Sequence, residues 1–204
     1  MSFSSSTIIE NVKTMCNAGQ ALMAYFYFDF QDINKQHWRD LVSSLLIQLS
    51  TQSSHYYDIL SDLYSGHGNG AQKPNNDALK ECLIKMLKLR DRHPIYLIMD
   101  ALDESPDASE LPSPRNQILQ LLNDLQLPNL RICVTSRPEF DIRDFLEPLT
   151  SRRVSLHDQS GQKQDLADYV RSFVYSNSEP YMRRWREEDR EFVVETLSTR
   201  ADGM

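Results

Sequence analysis

The run Ile95-Tyr96-Leu97-Ile98-Met99 closes on Asp100 and is followed at once by Ala101-Leu102-Asp103-Glu104. A short apolar run ending in carboxylates is how a buried parallel strand brings acids to the carboxyl edge of a sheet, where open α/β folds bind their ligands. Asp100, Asp103 and Glu104 together have the chemistry to hold a hydrated Mg²⁺ and to polarise water against a phosphate. Downstream, a second apolar run, Ile132-Cys133-Val134, also ends in polar groups, Thr135-Ser136-Arg137. Two such strands side by side predict a nucleotide-binding sheet, with no phosphate loop ahead of them.

The 204 residues suffice for one domain with a real core, or for one domain and a small appendage. Acidic residues outnumber Lys and Arg, 29 to 22, which disfavours a nucleic-acid surface. Arg152-Arg153 and Arg183-Arg184 therefore read as solvated faces. Cys16, Cys82 and Cys133 show no C-x-x-C spacing and fit buried thiols in a reducing compartment. The histidines lack paired metal-ligand spacing. No apolar stretch approaches the ~20 residues of a membrane span, and the first residues lack the basic and apolar regions of a signal peptide. The expectation is a cytoplasmic chain that binds neither membrane nor nucleic acid.

Helical spacing of Ile8, Ile9, Val12, Met15 and Cys16 predicts a helix stopped at Gly19. The aromatic run over 22–30 is too apolar for a half-exposed strand and predicts a buried one. Trp38, Leu41, Leu45, Leu46 and Leu49 mark an amphipathic helix over 37–50, and a second helix is expected over 56–64. The glycine string at 65–70 follows a helix and has no Lys-Ser/Thr pair after it, so it reads as a flexible loop, not a phosphate cradle. Asn76 or Asp77 caps a helix running to about Leu89, and Ser113 with Pro114 starts another that buries Ile118, Leu119, Leu122 and Leu125. A strand over 130–135, a short helix over 139–146, an edge strand over 153–157 and helical pattern from Gln162 complete the chain. Strands alternating with helices predict an α/β fold with a mostly parallel sheet.

Each site residue carries a plain alternative. Asp100 alone is a polar residue that closes a strand. Small Ala101 after it leaves room for close approach, and Asp103 and Glu104 add carboxylates able to orient an attacking water. Arg137 has the reach to read a terminal phosphate, or to pair with Glu139 or Asp141. Pro138 ends the strand. No G-x-S-x-G elbow and no nominable Cys/His pair point to a hydrolase of esters or peptides.

The block Leu97-Ile98-Met99-Asp100-Ala101-Leu102-Asp103-Glu104 and the segment Val134-Thr135-Ser136-Arg137-Pro138 resemble, in that order, the Walker B and sensor-one motifs of NACHT domains. The resemblance is strongest to the nephrocystin-like N-terminal NTPase type, found in many fungal receptors of the STAND class. Tyr25-Phe26-Tyr27-Phe28-Asp29-Phe30 and His37-Trp38-Arg39-Asp40-Leu41 resemble the second strand and following helix of that group. The resemblance implies a P-loop NTPase-like three-layer α/β/α fold that binds ATP with Mg²⁺ and switches a larger protein between closed and oligomeric states. It implies Asp100 as the metal-linked acid, Asp103 and Glu104 as catalytic or water-positioning acids, and Arg137 as the phosphate sensor. It divides the chain into a partial NTPase core over 1–160 and the start of a helical region over 161–204.

The chain departs from the family pattern at its start. A glycine-rich loop ending in Gly-Lys-Ser/Thr belongs directly before the first helix. Family register puts Met1 about where the lysine stands and Ser2 about where the Mg²⁺-binding hydroxyl stands. With the first strand and the phosphate loop missing, most of the triphosphate grip is lost, and hydrolysis by this chain alone is not expected. Two rival readings follow: a non-catalytic module that associates with intact NACHT proteins through an open sheet edge, and a mis-delimited gene segment.

Overall fold

Three strands, β1 (Leu22–Tyr27), β2 (Ile95–Asp100) and β3 (Leu130–Val134), pair in parallel in the order β1-β2-β3. The computed structural model describes residues 3–89, 93–107, 112–154, 160–175 and 185–200, divided into two compact units, Met1–Leu149 and Thr150–Met204. β2 is central and almost wholly buried, as its unbroken apolar run requires. Register sets Tyr27 against Asp100 and Met99 against Val134. All three strands therefore end on one edge.

Helices lie on both faces of this sheet. On one, α1 (Phe3–Asn17) packs Ile9 and Val12 against Met23 and Ile98. On the other, α2 (Trp38–Ser50), α3 (Ser54–Gly66), α4 (Asn76–Leu87), α5 (Pro114–Asp124) and α6 (Phe140–Leu146) build the larger core. Leu41, Leu45, Leu83, Leu97 and Met99 are completely buried there. Short-range chemistry sets the helix ends. Gly19, at φ +67, turns the chain out of α1 while its N–H donates to the Cys16 carbonyl. Asn75 caps α4 through the Ala78 N–H, and Ser113 caps α5 through the Asn116 N–H with Pro114 next in line. The glycine string at 65–70 begins in the last turn of α3 and leaves it as a turn from His67 onward. A Cβ on Gly70 would come within 2.7 Å of the Tyr64 ring.

β1 differs from expectation. The apolar run predicts a buried strand over 22–30, yet β1 stops at Tyr27 and stands at the edge of the sheet. The outward backbone of β1 is paired by two glutamines, Gln48 in α2 and Gln52 in the turn just past its end. Gln52 accepts the Met23 N–H at 3.0 Å and donates to the Met23 carbonyl at 2.7 Å. Gln48 does the same with Tyr25, at 3.1 Å and 2.8 Å. Each primary amide thus pairs with one β1 residue as a residue of a neighbouring strand would. Changing both glutamines to leucine is expected to cost about 2–4 kcal/mol, from four lost hydrogen bonds, and to open the edge to strand addition. Light scattering during chromatography checks this: self-association is the expected result, and an unchanged particle mass with unchanged stability contradicts the role given to the amides.

Arg153 and Val154 adopt no regular structure, and the rest of the edge strand expected over 153–157 lies outside the described residues. In the second unit, α7 (Ser160–Val174) and α8 (Glu187–Arg200) meet through Val170, Val174 and Val194. Arg171 bridges to Glu191 at 2.7 Å, and the Tyr175 hydroxyl donates to Glu187 and Glu191. Among the described residues no helix is long and apolar enough to cross a membrane.

Candidate functional site

β2 delivers Asp100 to the carboxyl edge, where it is only 3% exposed. Ile98 faces α1, so Asp100, two residues on, projects from the same face. One of its oxygens accepts the Thr135 hydroxyl at 2.6 Å, and that hydroxyl oxygen accepts the Ala101 N–H at 3.0 Å. Backbone bonds from Thr135 N–H to the Met99 carbonyl and from Leu102 N–H to the Thr135 carbonyl fasten the ends of β2 and β3 together. The charge of Asp100 is felt nearby. Burial first, and then the neighbouring Tyr25 and Asp100, push the Tyr27 phenol above its ordinary range. Burial and then Asp100 do the same to the Cys133 thiol.

Ala101 takes the left-handed conformation, φ 59 and ψ 49, which costs a residue with a Cβ about 1 kcal/mol. The sharp turn it makes sends Leu102 into the core and sets Asp103 and Glu104 in a 3-10 turn over Leu102–Glu104 at the sheet edge. The Asp103 side chain is 8% exposed and has one oxygen 3.5 Å from Arg137 Nε. Its other oxygen accepts the Arg137 N–H at 3.0 Å. Glu104 turns the other way, accepting the Phe30 N–H at 3.2 Å.

The fold thus brings Asp100, Asp103, Glu104 and Arg137 to one edge. Asp100 engages Thr135, Asp103 engages Arg137, and Glu104 anchors the chain that leaves β1. Ser2 lies outside the described residues. Arg137 does form an ion pair, but with Asp103 and not with Glu139 or Asp141. Those two carboxylates belong to Arg115, at 3.4 Å and 3.1 Å. Sequence reasoning missed Arg115, although one signal was there. A cation in the first turn of a helix opposes the helix dipole, so Arg115 directly after Ser113-Pro114 needs acidic partners from elsewhere.

The donor set decides what the edge can hold. Among the described residues no three His, Cys, Asp or Glu side chains form a metal-binding group. A single carboxylate suits Mg²⁺, which keeps several waters and takes further ligands from phosphates.

A parallel sheet with helices on both faces and acids at its carboxyl edge defines an α/β domain. The chain belongs to the nephrocystin 3 N-terminal family, whose model matches residues 2–137, two-thirds of its length. The match takes in all three strands and ends on Arg137. No curated protein and no solved structure matches the chain.

Proposed function

We propose that this chain carries the metal-linked and phosphate-sensing half of an ATP-dependent signalling NTPase domain of the NACHT type. The juxtaposition of buried Asp100, at the end of the central strand, with exposed Arg137, just past the end of its neighbour, supports this reading above all. Asp100 would hold Mg²⁺ through water, with Thr135 fixing one of its oxygens. The bound ion neutralises phosphate charge. Arg137, 81% exposed, is free to reach a terminal phosphate, and in doing so it would leave the carboxylate oxygen of Asp103 that it now neutralises. Asp103 and Glu104 would then orient water. A lysine and a backbone nest remain necessary for tight binding, because each charge-assisted contact contributes ~1.5–3 kcal/mol.

Calorimetric titration with ATP and Mg²⁺ tests the proposal on two chains: this one, and one carrying a Gly-x-x-x-x-Gly-Lys-Ser segment ahead of α1. Weak or absent binding to the first and tight, Mg²⁺-dependent binding to the second is expected, with the Mg²⁺ dependence lost on Asp100→Asn. Tight binding and turnover without the added segment would refute the need for it. No binding to either chain would refute the nucleotide reading. In that event the rival is an interaction module, motivated by β3, whose only neighbour among the described residues is β2. A strictly monomeric chain that ignores intact relatives would dispose of it.

A further inference from the structure

Arg115 takes no part in that reading, yet it is 6% exposed and makes four hydrogen bonds from the first turn of α5. Two run to the acidic turn: Nε to the Ser105 carbonyl at 3.0 Å and one terminal nitrogen to the Asp103 carbonyl at 2.7 Å. Two run from the other terminal nitrogen to the carboxylates of Glu139 and Asp141, just past Arg137. We infer that Arg115 is a positioning residue that yokes the acidic turn to the segment carrying Arg137, so that acids and sensor keep one frame when Arg137 leaves Asp103 for a phosphate. The function of the yoke rests on the nucleotide reading; its existence does not.

Two arginine links join the same pair of segments, and they differ in kind. The Asp103–Arg137 ion pair has its guanidinium largely in water, where one anion exchanges readily for another. The Arg115 guanidinium is itself buried and held by two carbonyls of the acidic turn, while its carboxylate partners Glu139 and Asp141 are 46% and 35% exposed. The first, which rests on one exposed guanidinium, is therefore the more readily displaced of the two. Only a planar guanidinium has donors pointing both to two carbonyls on one side and to carboxylates on the other, so lysine is a poor substitute.

Amide hydrogen exchange of the full chain, followed by NMR without nucleotide, tests the yoke in wild type, Arg115→Lys and Arg115→Met. The methionine variant is expected to exchange about tenfold faster at Glu104, Ser105, Arg137 and Glu139, with β2 amides unchanged and the lysine variant in between. Unchanged protection at those four amides, or a loss spread evenly over β2 and α4, would overturn the inference. If the methionine variant does not fold, the double change Glu139→Gln and Asp141→Asn replaces it. That variant keeps both carbonyl bonds and is expected to loosen Arg137 and Glu139 alone; loosening neither would be equally damaging. Adding ATP with Mg²⁺ to the chain that carries the Gly-x-x-x-x-Gly-Lys-Ser segment separates the two layers. A shift of the Arg137 amide supports the whole scheme. No shift, with the exchange pattern intact, leaves the yoke standing and removes the nucleotide reading.

Discussion

Leu97→Ala is expected to destabilise the first unit by about 3–4 kcal/mol, within the range for truncating a buried leucine. Leu97 is 0% exposed in the middle of β2, with Ala24 opposite it on β1 and Ile132 on β3. Two parallel neighbours fixed by their own ladders cannot move in to close the cavity. Domains are stable by only about 5–15 kcal/mol, so a loss of this size leaves the sheet close to unfolding. Urea titration reads it directly as a lower midpoint at constant slope. A loss below about 1 kcal/mol would contradict the close-packed central strand described above. The change also reaches the candidate site, because β2 is what carries Asp100 to the edge.

Thr135→Val is the second large effect expected, at about 2–3 kcal/mol. Valine keeps the shape but removes the hydroxyl that donates to Asp100 and accepts from the Ala101 N–H. Two buried polar groups then lose a partner each, one of them a carboxylate. Thr135→Ser keeps the hydroxyl and is expected to stay within about 1 kcal/mol of wild type. Comparing the two by thermal or urea unfolding isolates the bridge. Equal losses in both would assign the effect to the missing or misplaced methyl instead.

What could be read from the chain beforehand follows from how local each signal is. β2 has the bounds expected, because an apolar run closed by Pro94 before it and Asp100 at its end leaves no other register. α5 starts where Ser113 and Pro114 place it, since both act within a single turn. The acids and Arg137 were identifiable because each ends an apolar run. Their pairing was not, because hydrogen bonds across 34 residues, such as Arg137 to Asp103, leave no periodic trace. β1 was misjudged for a related reason. Hydropathy reports how well side chains are covered and says nothing about who satisfies the backbone. The Gln48 and Gln52 amides that do so sit 23 and 29 residues away from their partners.

Exposed edge strands ordinarily discourage unwanted neighbours with lysine, proline or another charge of their own. Leu22–Tyr27 contains none of these. With its outer backbone occupied by Gln48 of α2 and by Gln52 just beyond that helix, the strand is free to use its positions for aromatic packing: Tyr25 against Tyr27 at 5.4 Å and Phe26 against Phe28, just past the strand, at 5.0 Å. The gatekeeping that other proteins write into a strand is here written into a helix and the turn that follows it.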